Sequence, residues 1–390
     1  MKRLVLIMLF LGMMFSFQFV HAQALTSAKL YLKLGQYEKA EASAVRAAEK
    51  DPEDEEAWFV LGQSRFALKK YPEMLDAFDK AIALDPEEHK IDIEDFRLKG
   101  WAVSHNDGVK YYNSGRDTAS YFDLAIAALK TGVRAAPEST QTYFVYALAH
   151  YGKKEIAEAI KILNASLEKK PNQQSELDLL AKLYSQLAQE KAAAKDSVGS
   201  KENYLASAAA FEKLLVLDRT NADYSLSLID LYELLGMQDK ALAMTRDAVT
   251  ADPNNRTLRY AYGVYLLKQE KTPEAIEQFA VVESQKADTV DLIHTNSLYN
   301  LGVAYLNWGV ALKKDSDQKA DEAVKAKKKG FKEDMTYKEK FKSAVAYFEK
   351  SAELKKDDPF IWQQLGRLYA NLNMPKEAEA AYKKYDELNK

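Results

Sequence analysis

Proline returns in this sequence at a fixed spacing. Pro52 and Pro86 are 34 residues apart, and so are Pro137 and Pro171. Each closes the same kind of phrase: EKAEASAVRAAEKDP, EMLDAFDKAIALDP, DLAIAALKTGVRAAP and AEAIKILNASLEKKP. A sustained period of that length marks an array of helical units, each of which buries its apolar face against its neighbours. In such an array the 390 residues count repeats rather than domains. Arrays of this kind usually hold other molecules rather than transform them.

The internal pattern of a unit gives its two helices. The first carries Trp, then Leu-Gly three residues on, then an aromatic: Trp58 with Leu61-Gly62, and Trp362 with Leu365-Gly366 and Tyr369. The second carries a small residue, a large one four later and a small one three after that: Ala125, Leu129 and Gly132, or Ala344, Phe348 and Ser351. Offsets of i, i+4 and i+7 fall on one helix face. Small residues let two helices approach, large ones fill the gap, and proline ends the second helix because it cannot continue the hydrogen-bond ladder.

On these residues the chain resembles the tetratricopeptide repeat family, whose unit is a 34-residue helix–turn–helix. The resemblance covers about residues 24–390 and implies an all-α fold, a right-handed superhelical solenoid of about nine units. The units run approximately 24–54, 55–88, 91–139, 140–173, 174–221, 222–255, 256–290, 295–358 and 359–390. The first lacks Trp and Leu-Gly but keeps Gly35, Tyr37, Ala40, Ala47 and Pro52. The fifth has Arg219 where proline belongs; the seventh lacks the proline but keeps Tyr262-Gly263, Ala275 and Phe279.

The phase slips in identifiable places. Pro171 to Pro253 is 82 residues, two periods plus 14, and Pro86 to Pro137 is 51, one period plus 17. The third, fifth and eighth units are therefore elongated, and the excess is expected between their two helices, at about Ser104–Ser120, Ser185–Asn203 and Asn307–Lys340. AQEKAAAKD and AVKAKKKGFKEDMTYKEKF are good helix formers without a sustained apolar face. The paired helices of these units are expected to project beyond the solenoid edge and to be joined by a polar loop.

Composition narrows the class. The chain is 47% hydrophobic and 29% charged, with only 15 Gly and 9 Pro, as a nearly all-helical protein requires. A net charge of −3 gives no electrostatic footprint for nucleic acid or anionic lipid. The absence of cysteine excludes disulfides, thiolate metal sites and cysteine nucleophiles. At the N-terminus, Lys2 and Arg3 precede LVLIMLFLGMMFSFQFV and Val20-His21-Ala22. This reads as a signal peptide, residues 1–22, followed by one solenoid over 23–390. The alternative is an uncleaved anchor, against which stands an apolar run shorter than the roughly 20 residues that span a bilayer. Either way the repeats are expected to be exported, periplasmic or extracellular.

A search for chemistry returns nothing. None of the histidines His89, His105, His150 and His294 lies within four residues of another, so no helical ligand pair exists. HExxH, GxSxG, a Walker loop and GxGxxG are all missing. Asp51 with Glu53, and Asp357 with Asp358, read as turn and cap residues. Asn164-Ala165-Ser166 and Asn255-Arg256-Thr257 match the glycosylation triplet by chance. The lysines of Lys325–Lys332 are flanked by Asp321, Glu322, Glu333 and Asp334, and read as a solvated helix face. No catalysis, metal or cofactor is expected.

The resemblance implies that the first helices line a concave groove in which partner peptides or helices lie. One residue after the Trp position points into it. That position holds Phe59, Phe144, Leu226, Tyr260, Tyr299 and Gln363, with Gln63, Asp230, Asn300, Asn307 and Arg367 as polar neighbours. Four aromatics there suggest an apolar floor for a ligand; packing against the next repeat is the competing reading. The Lys and Asn with which some members grip a C-terminal carboxylate are replaced by Phe59 with Gln63, Tyr260 with Val264, and Tyr299 with Val303. The expected function is a non-catalytic scaffold for protein or peptide partners in the cell envelope. The alternative is a structural subunit of an envelope assembly or secretion machine, docking through the elongated units.

Overall fold

The computed structural model describes residues 23–285, 291–327, 330 and 332–389. The signal-peptide reading of residues 1–22 lies outside them. The described residues are helical, with no strand among them. They form nine consecutive helix pairs: α1 (residues 23–33) with α2 (Tyr37–Lys50), α3 (Glu55–Ala67) with α4 (Tyr71–Leu84), α5 (Lys90–Gly115) with α6 (Tyr121–Ala135), α7 (Thr140–Gly152) with α8 (Ile156–Lys169), α9 (Gln174–Ala193) with α10 (Ser197–Leu217), α11 (Ala222–Leu234) with α12 (Gln238–Ala251), α13 (Arg256–Lys268) with α14 (Thr272–Ser284), α15 (Leu292–Lys325) with α16 (Thr336–Leu354), and α17 (Pro359–Asn371) with α18 (Pro375–Leu388). The chain divides into two compact units, one ending at Leu187 and the other beginning at Ala188. No helix among the described residues is long and apolar enough to cross a membrane.

Seven pairs turn in the same way. Three residues separate the helices, and the middle one is left-handed: Gly35, Lys69, Lys154, Lys195, Gly236, Glu270 or Asn373. The residue after it donates its N–H to a carbonyl five positions back, as in Lys70 to Arg65, Met237 to Tyr232 and Met374 to Tyr369. This closure satisfies carbonyls that the helix end would leave bare. Within a pair, Gly62 packs so closely on Phe78 that a Cβ there would enter the ring. Phe78, Met74 and Leu75 are fully buried in the first unit, and Phe348, Ile361 and Leu365 are buried in the second.

The Trp position has a structural purpose. The indole N–H of Trp58 donates to the carbonyl of Pro52 at 2.9 Å, and that of Trp362 to Lys356 at 3.0 Å. In the seventh pair Arg259 stands at this place and donates through Nε to Pro253 at 2.6 Å. In these three pairs a long N–H donor at this position ties the helix to the preceding inter-repeat turn.

The elongated pairs correct part of the sequence expectation. In the third, Gly108 meets Leu129 as Gly62 meets Phe78, so only five more residues than usual separate the two packing positions. The rest of the excess precedes the repeat, in the N-terminal turns of α5, where Ile93 and Phe96 join the core around Phe78. The fifth pair lengthens both helices to 20 and 21 residues and keeps the three-residue turn, so no polar loop joins them. The eighth is asymmetric: α15 has 34 residues against 19 in α16. Ser316 Oγ on α15 donates to the carbonyl of Asp334, just before α16, at 2.9 Å.

Candidate functional site

The residues one position after Trp do not share one environment. Phe59 is buried, only 6% exposed, and its ring stacks on His89 at 3.8 Å. It is therefore a core residue and not a partly exposed floor. The extra turns of α5 explain this, because His89 caps that helix and covers the Phe59 ring. The carboxyl of neighbouring Glu55 is pushed up by burial, although His89 opposes the shift. Gln63 is half-buried beside it. Phe144, in the same compact unit, is half-buried against the cluster around Tyr143 and Leu163.

In the second unit the aromatics keep an open edge. Tyr260 is half-buried over Phe279, with ring centroids 5.9 Å apart, and its hydroxyl accepts from Asn300 Nδ2 at 3.4 Å. Tyr299 lies edge-on to Phe348 at 5.6 Å; burial pushes its phenol up, and Asp358 adds to the shift. Leu226 and Gln363 are half-buried, and Asp230 is exposed. The structure thus brings Tyr260 and Asn300 together.

It also brings together Asn307 and Arg367, two exposed residues from successive first helices. They line a recess of about 470 Å³ between α15 and α17. Leu306, Val310 and Lys314 of α15 and Gln364, Leu368 and Asn371 of α17 complete its two walls, above Phe341. The residues from Val310 onward were missed by reasoning from the 34-residue phase, because they lie beyond the point where an ordinary first helix stops. The signal was present as the helical spacing of Leu306, Val310, Lys313 and Asp317. A second recess, about 530 Å³, lies where the tip of the α9–α10 pair meets the end of α11, with Tyr204, Leu234 and Lys201 in its lining. Both recesses adjoin an elongated pair.

Other residues singled out in the sequence have structural partners. Asp51 and Asp358 accept backbone N–H groups in turns and caps, as expected. Asn164 donates to the Tyr184 hydroxyl, and Asn255 caps α13. Of the Lys325–Lys332 stretch, residues 328, 329 and 331 lie outside the described residues.

Comparison with known proteins places the chain among helical repeats. A family model described as tetratricopeptide repeat matches residues 25–89 and 119–173, and a second of the same description matches 361–390. No curated protein matches the chain. Among solved structures, YrrB, described as a TPR protein with an unusual peptide-binding site, is 20% identical over 60% of this chain and 96% of its own, with a TM-score of 0.38. MamA is 17% identical over 53% of this chain and 91% of its own, also with a TM-score of 0.38. PilW, described as a widely conserved type IV pilus biogenesis factor, is 20% identical over 54% and 77%, with a TM-score of 0.36.

Proposed function

The chain belongs to the tetratricopeptide repeat family, and from that premise we propose that it is an exported, non-catalytic scaffold. It holds envelope proteins through peptides or helices laid along its first helices. The observation that carries this reading is the half-open aromatic position repeated at Phe144, Tyr260 and Tyr299. Aromatic faces with one wet edge supply contact area at low entropic cost. Asn300 beside Tyr260, Gln63 beside Phe59, Gln363, and Asn307 with Arg367 supply polar partners along the same surfaces.

A second reading has its own observation. Val310 and Val324, on the part of α15 beyond the ordinary repeat, are 52% and 76% exposed. Exposed apolar side chains on an insertion favour docking of an assembly partner there.

One pull-down from an envelope extract separates the two readings. It compares wild type, a Phe144→Ala/Tyr260→Ala/Tyr299→Ala variant and a deletion of residues 315–338. Loss of partners only in the triple variant supports the groove, and loss only in the deletion supports docking on the insertion. Equal recovery of every partner by the triple variant sinks the groove.

A further inference from the structure

We propose that the recess between α15 and α17 is a binding site for an internal acidic segment of a partner protein, carrying carboxylates beside an apolar side chain. The inference rests on the scaffold reading and names the chemistry that one of its surfaces selects.

The recess exists because α15 overruns the repeat. An ordinary first helix here has 13 residues, like α17. The overrun is held rigidly against α16. A Cβ on Gly309 would enter the Phe341 ring, so the two helices are in close contact there. Tyr305 stacks on Tyr347 at 5.6 Å, and the Lys340 ammonium sits 3.6 Å above the Trp308 ring. The opposite face of α15 is left as a fixed wall over α17. It runs from Leu306 to Asp317, about 16 Å at the helical rise, long enough for a short peptide to pass through.

Charge decides what fits. Lys313 is spent on Asp317, 2.7 Å away. Lys314 on one wall and Arg367 on the other have no ion-pair partner among the described residues. Two unpaired cations facing one recess favour carboxylates, and Arg can take one bidentately. Val310, 52% exposed, and half-buried Leu306 offer an apolar surface beside the cations, over buried Leu368 and Phe341. Asn307 and Gln364 can hydrogen-bond a peptide backbone. The whole chain carries −3, so this preference comes from the recess and not from the net field. Cations on both walls of a recess about 16 Å long suit side-chain carboxylates along a segment.

The test pans the full chain with random twelve-residue peptides displayed on phage. Fusion to the coat protein removes the free C-terminal carboxylate. The expected result is enrichment of Asp or Glu next to Leu, Val or Phe. The best sequence, synthesised with an amidated C-terminus and a fluorescent label, should bind wild type with an affinity that falls as salt rises. Lys314→Glu/Arg367→Glu should weaken it about tenfold or more, and Lys314→Gln/Arg367→Gln by less. The Phe144→Ala/Tyr260→Ala/Tyr299→Ala variant should bind it as wild type does. Enrichment of sequences without acids, no enrichment at all, or charge-reversed protein binding as well as wild type would each overturn the site. Partner loss from the triple variant alongside such a result would retain the scaffold reading and discard only this recess.

Discussion

At the scale of single residues, the repeat is defined by what each position must do. The middle of the inter-helix turn must be left-handed, at φ between 56° and 71° in Lys69, Lys154, Lys195, Gly236, Glu270, Asn373 and Gly35. Glycine adopts that conformation freely, whereas a side chain costs about 1 kcal/mol or more. Gly236 isolates the effect, since a Cβ there would meet nothing within 4 Å. Gly236→Ala should therefore destabilise the chain by about 1 kcal/mol through the backbone alone. Lys69→Gly, at the equivalent turn, should be neutral or stabilising. Urea titration followed by circular dichroism reads both, and equal midpoints for Gly236→Ala and wild type would remove backbone strain from the account of the turn.

At the scale of helices, two devices recur. The first helices of the fifth and eighth pairs grow in sevens. Ser316 and Ala323 continue the buried series of Gly302 and Gly309 along α15, and Ala188 follows Ala181 in α9. Seven residues make nearly two full turns, so each increment returns the small residue to the same seam. The second device ties successive repeats. The hydroxyls of Tyr232, Tyr265 and Tyr369 donate to Glu212, Glu233 and Glu349 at 2.5, 2.7 and 2.6 Å. Burial first, and the carboxylate hydrogen bond second, push all three phenols well above the ordinary tyrosine range. A raised folded-state value means the fold prefers the neutral phenol. The contribution is whole below about pH 10, where unfolded tyrosine titrates, and is lost as pH climbs above it. Wild type should therefore lose stability between pH 9 and pH 11 more steeply than a Tyr232→Phe/Tyr265→Phe/Tyr369→Phe variant, with both followed by thermal melts. Parallel slopes would mean that the three pairs do not titrate with folding.

At the scale of the whole molecule, the architecture was legible because the period is a long-range signal written many times. Pro52, Pro86, Pro137 and Pro171 give the phase, and Gly62 with Phe78 shows why the offsets within a unit are fixed. The candidate site was less legible. Sequence places Phe59 and Tyr260 at one position, yet His89 covers the first and not the second, because the extra turns of α5 precede their repeat. Nothing in a 34-residue period reports on which side of a repeat an insertion lies; only the contact of Gly108 with Leu129 does. The recess was hidden for the same reason, since the later part of α15 has no counterpart in an ordinary unit. Among the described residues, helix contacts of any extent run between consecutive elements or those next but one. Stability should then be local, a sum of unit and neighbour terms. Phe78 is fully buried between α3, α4 and α5. Phe78→Ala removes a large core ring, a change that typically costs about 3–5 kcal/mol. Native-state hydrogen exchange should accelerate across α3–α6 and stay at wild-type rates in α17 and α18, because no chain of strong contacts is long enough to transmit the loss undiminished. Uniform acceleration along the chain would instead mean that the array unfolds as one cooperative body, and local tuning of its binding surfaces would then be closed to it.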